Sequence, residues 1–415
     1  VQFDVGVVGG GAAGLMTAIT AAREAPSLAV AVIESRPRPG VKILASGGGR
    51  CNVTNRSVTP ADFNGDRGVV ARILRRFDER ATVRFFEELG VELKHEPEFD
   101  KLFPVSDSAH TVLDALLAEC ARLRVQMVSD FRVDEVRRGE AGFDVTSGAR
   151  VAVCRSVVLA TGGRSVPKSG SDGHGYEIVR SLGHSVGSTS PALVPLVLQP
   201  HVLEGLEGIA VPAELSVWSG GRRIALETGP ALVTHFGLSG PAPMNVSRHW
   251  SVVRDAGGTA EVRMNMLPGR QPADVEGEWL DAARSDGSRP AIALLAELPA
   301  RLAHRVIALA DVAETTRVAE LARNSRKRLL DAATNLRLPV TDTRGWNAAE
   351  VTAGGVPLAE VDPRTMESRR CPGLFLVGEI LDVDGRIGGF NFQWAWATGF
   401  VAGQALAVRA APRAG

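Results

Sequence analysis

The stretch Gly9-Gly10-Gly11-Ala12-Ala13-Gly14 has the spacing G-x-G-x-x-G, and each glycine in it suits a separate task. Gly9 permits a tight turn, Gly11 lets backbone approach a pyrophosphate, and Gly14 lets a helix lie close on a strand. Amides around Ala13 would then meet the phosphates at the positive end of that helix. Glu34, twenty residues after Gly14, stands where a carboxylate takes a ribose hydroxyl. Phosphate cradle and ribose acid at this distance point to an adenine dinucleotide.

Other residues narrow the ligand. Ala160-Thr161-Gly162-Gly163 ends an apolar run in a glycine turn, which makes Thr161 and Gly162 candidates for a second chain crossing beside the dinucleotide. Near the C-terminus, Gly373 to Val377 reads as a strand and runs into Gly378 and Glu379. Beyond it lie Asp382, Asp384, Gly385, Gly388, Gly389, Phe390 and Asn391. Carboxylates at such a turn suit ribityl hydroxyls, and a helix opening near Gly389 would stabilise negative charge on a reduced flavin. FAD is therefore expected rather than NAD. Lys42, Gly48, Arg50, Cys51 and Asn52, in the loop after the second strand, and Val133, in a later strand-like run, are further candidate cofactor contacts. For chemistry the candidates are His235, in a loop rich in Gly and Pro, together with Arg50 and Asn391. Arg386 is a further cation in a segment expected near the cofactor.

The elements that must position these residues follow from periodicity. Phe3, Val5, Val7 and Val8 predict a buried strand, positions 15–25 a helix, and positions 28–33 a second strand. Helices are predicted over 69–77, 81–89 and 110–123, and short strands over 125–128, 132–136, 142–146, 150–153 and 157–159. From 186 to about 266 the chain is strand-like, and from 272 to about 335 it is helical. A final strand and a helix over 390–406 return to the first domain.

Composition places the chain among ordinary globular proteins, with 45% hydrophobic and 23% charged residues. The 47 basic and 47 acidic residues balance, which argues against nucleic acid or an anionic membrane as partner. Four cysteines, Cys51, Cys120, Cys154 and Cys371, show no metal-ligand spacing and are too sparse for a disulfide framework, so no metal and a cytoplasmic setting are expected.

Four segments carry a family resemblance: Gly47 to Asn55, Thr234 to Ala242, Val351 to Val356, and Gly378 to Gly385 with Gly388-Gly389-Phe390-Asn391. With them the chain resembles the aminoacetone-oxidase-like bacterial flavoproteins, a family that also holds bile-acid reductases and NAD(P)/FAD-dependent oxidoreductases. Lys101, where Arg is usual, and Phe390 and Phe392, where Tyr and Leu are commoner, depart from the family pattern. The resemblance implies an α/β fold with an FAD-binding Rossmann-like domain of glutathione-reductase type, an inserted β-rich domain and a small helical domain. The expected boundaries are 1–185 with 358–415 for FAD, 186–266 with 336–357 for the β-rich substrate domain, and 267–335 for the helical insert.

The expected activity is hydride transfer between flavin N5 and a small organic substrate, by amine or ketone oxidation or by enone reduction. No second G-x-G-x-x-G occurs, so electrons come from the substrate or from NAD(P)H visiting the same flavin face. Two rival readings are a flavin-dependent RNA methyltransferase-like enzyme, which would want a cationic surface, and a non-enzymatic FAD-binding regulator. Substrate identity and oligomeric state are not legible in the sequence.

Overall fold

The apolar runs Gln2–Val8 (β1) and Val30–Ile33 (β2) form adjacent parallel strands, joined by helix Ala12–Glu24 (α1). Such runs lack the alternation of a half-exposed sheet, because both faces of a parallel sheet are covered. The structure, a computed structural model, describes residues 1–410. Its contacts fall into two compact units, Val1–Thr189 with Val351–Gly415, and Ser190–Glu350.

In the first unit β1 lies between β2 and the strand Arg150–Leu159, with Val5 opposite both Val30 and Ser156. Gln126–Val128 extends the sheet beyond β2, and Leu374–Leu376 runs parallel to the end of Arg150–Leu159. The earlier part of Arg150–Leu159 pairs antiparallel with Gly142–Ser147, which pairs with Glu135–Gly139. The chain thus leaves β1 toward opposite sides on its two excursions. That makes the carboxyl end of β1 a topological switch point, where open α/β sheets bind ligands.

The C-terminal helix Phe390–Ala410 lies against α1. Two glycines four residues apart allow it. A Cβ on Gly399 would stand 2.5 Å from the Ala13 carbonyl oxygen, and one on Gly403 would stand 2.5 Å from Thr20 Cβ. Only side-chain-free positions tolerate such an approach.

The second unit is an antiparallel sheet in the order Leu336–Leu338, Glu261–Asn265, Ala210–Ser219, Arg222–Thr234, Gly237–Ser239, Leu196–Leu198, Val340–Thr343. Its apolar core mixes strand residues Val211, Leu215 and Val262 with Val275, Trp279, Leu302, Val306 and Leu329 from the helical stretch. The segment expected at 267–335 as a separate helical domain therefore shares one core with the sheet. Short amphipathic helices cannot close a core alone and borrow the sheet's apolar face.

Local differences have local causes. The strands predicted over 150–153 and 157–159 are one strand, and the one predicted over 132–136 begins at Glu135. Helix Pro241–Asp255 was hidden because Pro241 and Pro243 read as loop, yet proline is tolerated in a first helical turn. Within the stretch predicted as helical over 272–335, Val318–Glu320 is a short 3₁₀ turn and the last helix begins at Arg323.

One buried polar network in the first unit pins the segment after Val351. The fully buried His184 ring bonds Glu360 through Nδ1 at 2.7 Å and Ser368 Oγ through Nε2 at 2.8 Å. Ser185 and Arg370 also donate to Glu360, at 2.6 and 2.7 Å. Ser368 Oγ accepts from the amides of Arg370 and Cys371, so its hydroxyl proton is left for His184 and the group is a clamp rather than a nucleophile. Burial opposes ionisation of Glu360, but hydrogen bonds from Ser185, Arg370 and His184 outweigh it and hold the pKa at about 2, against an ordinary 4.5. A depressed carboxyl contributes stability that is full above the unfolded pKa and is lost as pH falls from 4.5 toward about 2. Glu360→Gln should therefore lower stability at pH 7 by roughly 2–3 kcal/mol and flatten the acid limb of urea-midpoint against pH. An unaltered acid limb would show that the network does not depend on the charge.

Candidate functional site

Four parallel strands end on one side of the first sheet, and each delivers a predicted residue. β1 opens into Gly9, β2 into Glu34, Arg150–Leu159 into Thr161 and Gly162, and Leu374–Leu376 into Gly378 and Glu379. Backbone bonds fix the turns: the Gly9 amide donates to Ile33 O at 2.9 Å, and the Ala160 amide donates to Val8 O at 2.9 Å. Glu34 Oε2 accepts from the Gly10 amide at 2.8 Å, and Oε1 accepts from Ser35 Oγ and the Arg36 amide. The Glu34 carboxylate is thus oriented by the Gly9–Gly14 turn itself. The loop carrying Val133, which is buried, passes the same point, where the Phe131 amide donates to Glu34 O at 2.8 Å.

Gly378 packs against the start of α1: a Cβ there would lie 2.9 Å from Ala13 Cβ, and its carbonyl accepts from Trp394 Nε1 at 3.2 Å. Glu379 pairs with Lys42, and Ser165 Oγ joins them, accepting from Lys42 Nζ at 2.6 Å and donating to Glu379 Oε1 at 2.8 Å. Sequence singled out Lys42 and Glu379 but missed Ser165, a small polar residue with no pattern around it.

The loop after β2 and the turn before the C-terminal helix also meet. The Asn52 amide, in the orientation that satisfies its partners, accepts from the Gly389 amide at 2.9 Å and donates to Thr54 O. Asn55 Nδ2 donates to Gly388 O at 3.1 Å. Asn391 closes the turn on itself, accepting from the Gly385 amide at 2.8 Å and donating to Gly385 O at 3.0 Å. Its amide is therefore spent on shape, unlike the catalytic part expected for it. Phe390 packs edge-on against Phe63, and the buried Asp384 accepts from Asn64.

Four further predicted residues are placed as follows. Arg50 points to Glu96 at 2.6 Å and stacks over Phe103 at 4.0 Å, so its charge is engaged by the hairpin Leu93–Pro104 rather than left for a substrate. Cys51 is fully buried with φ 60°, and burial pushes its thiol up to about 12, which removes it as a nucleophile. His235 lies exposed in the turn between Arg222–Thr234 and Gly237–Ser239 of the second unit, with its ring edge-on to Phe236. Gly48, with φ 68°, has no atom within 4 Å of a built Cβ.

The residues at the strand ends fit a dinucleotide. Gly11 caps α1 in extended backbone, and a Cβ built on it meets nothing within 4 Å, so the space before it is open. The first turn of α1 holds no acidic residue to repel phosphate. Two buried hydroxyl oxygens nearby, Thr161 Oγ1 and Ser171 Oγ, have no hydrogen-bond partner. Sequence gave no sign of Ser171. Among the described residues no helix is long and apolar enough to cross a membrane.

Comparison with known proteins agrees with the resemblance read from the motifs. Residues 3–405 match the family described as HI0933-like protein Rossmann domain. A 3-dehydro-bile acid delta(4,6)-reductase of Clostridium scindens is 34% identical over 98% of this chain and 99% of its own. A ribosomal RNA dihydrouridine synthase of Escherichia coli is 33% identical over 98% of each chain. Among solved structures, the FrdA chain of E. coli quinol fumarate reductase superposes with TM-score 0.53 and 18% identity, covering 100% of this chain and 71% of its own, a likeness of fold.

Because no described residue lies within 4 Å of a Cβ built on Gly11, Gly11→Val should leave the thermal midpoint of the cofactor-free protein within error yet weaken FAD at least roughly tenfold, through the ligand alone. Glu34→Ala should weaken FAD by roughly ten- to a hundredfold, the worth of a charged hydrogen bond of about 1.5–3 kcal/mol. Titration by flavin fluorescence checks both. Wild-type affinity in either variant would move the dinucleotide away from this turn.

Proposed function

The chain belongs to the HI0933-like Rossmann family, and from that premise we propose that it is an FAD-dependent oxidoreductase that saturates a carbon–carbon double bond conjugated to a carbonyl. The observation that carries the cofactor is the convergence of the Gly9–Gly14 turn, Glu34, Thr161-Gly162 and Gly378-Glu379 at the ends of four parallel strands. Amides of the glycine turn would hold the pyrophosphate and Glu34 a ribose hydroxyl, with the Gly378–Asn391 segment at the flavin end. FAD, when bound, supplies two-electron chemistry by carrying a hydride at N5.

The reaction class follows from what the relatives' names share. A delta(4,6)-reductase of a 3-dehydro steroid acid and a synthase of dihydrouridine both saturate a double bond conjugated to a carbonyl. Such a reduction adds a hydride at the β-carbon and a proton at the α-carbon, with NAD(P)H as the source of electrons. The chain must supply the proton. His235, exposed in its turn and edge-on to Phe236, is the residue we assign to it.

Two substrates suit this chemistry. A small unsaturated ketone fits the even charge balance. The second reading is uridine in RNA, and it rests on the E. coli relative. Residues 190–350 hold 17 basic and 18 acidic side chains, so RNA would be recognised through shape and a single exposed base rather than by bulk charge.

Under anaerobic conditions NAD(P)H should bleach the bound flavin, and an unsaturated ketone or a uridine-containing RNA should restore its colour. Bleaching of the oxidised flavin by amines or saturated alcohols, with no restoration of colour by either proposed substrate, would overturn the reaction class. His235→Ala should slow that reoxidation about 10² to 10⁴-fold while FAD affinity stays unchanged. An unchanged rate would return His235 to the surface as a bystander.

A further inference from the structure

We propose that Ser171 is a dedicated hydrogen-bonding ligand for the ADP half of the cofactor, a role that rests on the FAD reading above. Ser171 is 6% exposed, and its Oγ has no partner in the protein. Leaving a buried hydroxyl unpaired is costly, so such a group marks either strain or a missing partner.

Its surroundings decide between the two. A Cβ built on Gly162 would meet only Ser171 within 4 Å, with Oγ at 2.8 Å, so the hydroxyl stands over a residue that has no side chain. On one flank lies the phosphate turn, for a Cβ on Gly9 would stand 3.2 Å from Thr161 Cα. On the other lies the ribose acid: a Cβ on Gly170 would stand 3.2 Å from Ser35 Oγ, which itself donates to Glu34. Arg36 further ties this flank down by donating to Lys168 O at 2.5 Å. Ser171 therefore sits between the residues proposed for pyrophosphate and for ribose. Oxygens of the sugar and phosphates, or a ring nitrogen of adenine, are the acceptors such a hydroxyl would serve.

The second unpaired hydroxyl, Thr161 Oγ1, lies against Gly175 at the start of helix His174–Ser181. It serves as an internal comparison, since it is also buried and unpaired but is turned toward protein.

The test uses the full chain stripped of cofactor, with FAD, ADP and FMN as probes. Ser171→Ala should weaken FAD and ADP roughly three- to tenfold, the size of one neutral hydrogen bond. It should leave FMN, which lacks the ADP half, unchanged, and the cofactor-free thermal midpoint should hold or rise. Ser171→Thr, which keeps the hydroxyl, should recover most of the affinity. Equal FAD affinity in wild type and Ser171→Ala overturns the proposal, as does a loss of FMN and FAD alike with a lower midpoint, which would mark a packing role. A wild-type protein that binds no FAD overturns the underlying reading along with it.

Discussion

The nucleotide-binding unit depends on how closely its main chain can approach itself at the end of β1. Gly14 lies directly over the Gly9 carbonyl, Gly9 lies against Ala160, and Gly399 of the C-terminal helix reaches the Ala13 carbonyl. A methyl group at any of these places would push apart the elements that frame the crevice. A Rossmann turn is often discussed as a place where glycine lets phosphate in. Here most of its glycines let protein in, and only Gly11 faces open space. On the FAD reading, the distinction separates residues that shape the site from the one that would admit the ligand.

Close packing leaves the site's polar groups to be satisfied locally, and they divide into two kinds. Asn52, Asn55 and Asn391 spend their amides on the Gly385–Asn391 turn, so their chemistry is used up in holding backbone. Glu34 is different. Its carboxylate is aligned by Gly10, Ser35 and Arg36 but is an acceptor with room for another donor. Ser171 goes further and has no protein partner. Fixed acceptors and donors of this sort are preorganised, so binding need not reorder them.

A single dinucleotide turn also constrains the reaction. With one G-x-G-x-x-G turn in the sequence, the proposed reaction would have electron donor and acceptor use the FAD in alternation. Relatives at nearly the same identity are named for a bile acid and for a base in RNA, so the shared fold by itself does not name a substrate.

Sequence alone determined the elements whose rules are local. The G-x-G-x-x-G turn, the apolar strands around it and Glu34 at its fixed distance follow from backbone sterics and periodicity. Pairings across the chain were decided by the tertiary structure. Arg50 lies two residues from Asn52 in the same glycine-rich loop, yet Asn52 turns to Gly389 while Arg50 turns to Glu96 and Phe103. Nothing local distinguishes them, because each direction depends on which distant segment packs alongside. The same holds for the helical stretch after Pro272, whose periodicity was plain but whose apolar face is completed by strands far away in sequence. Ser171 shows the limit most sharply. A serine in a glycine-rich segment reads as a turn residue, and only burial without a partner, which arises from the packing of many segments at once, gives it meaning.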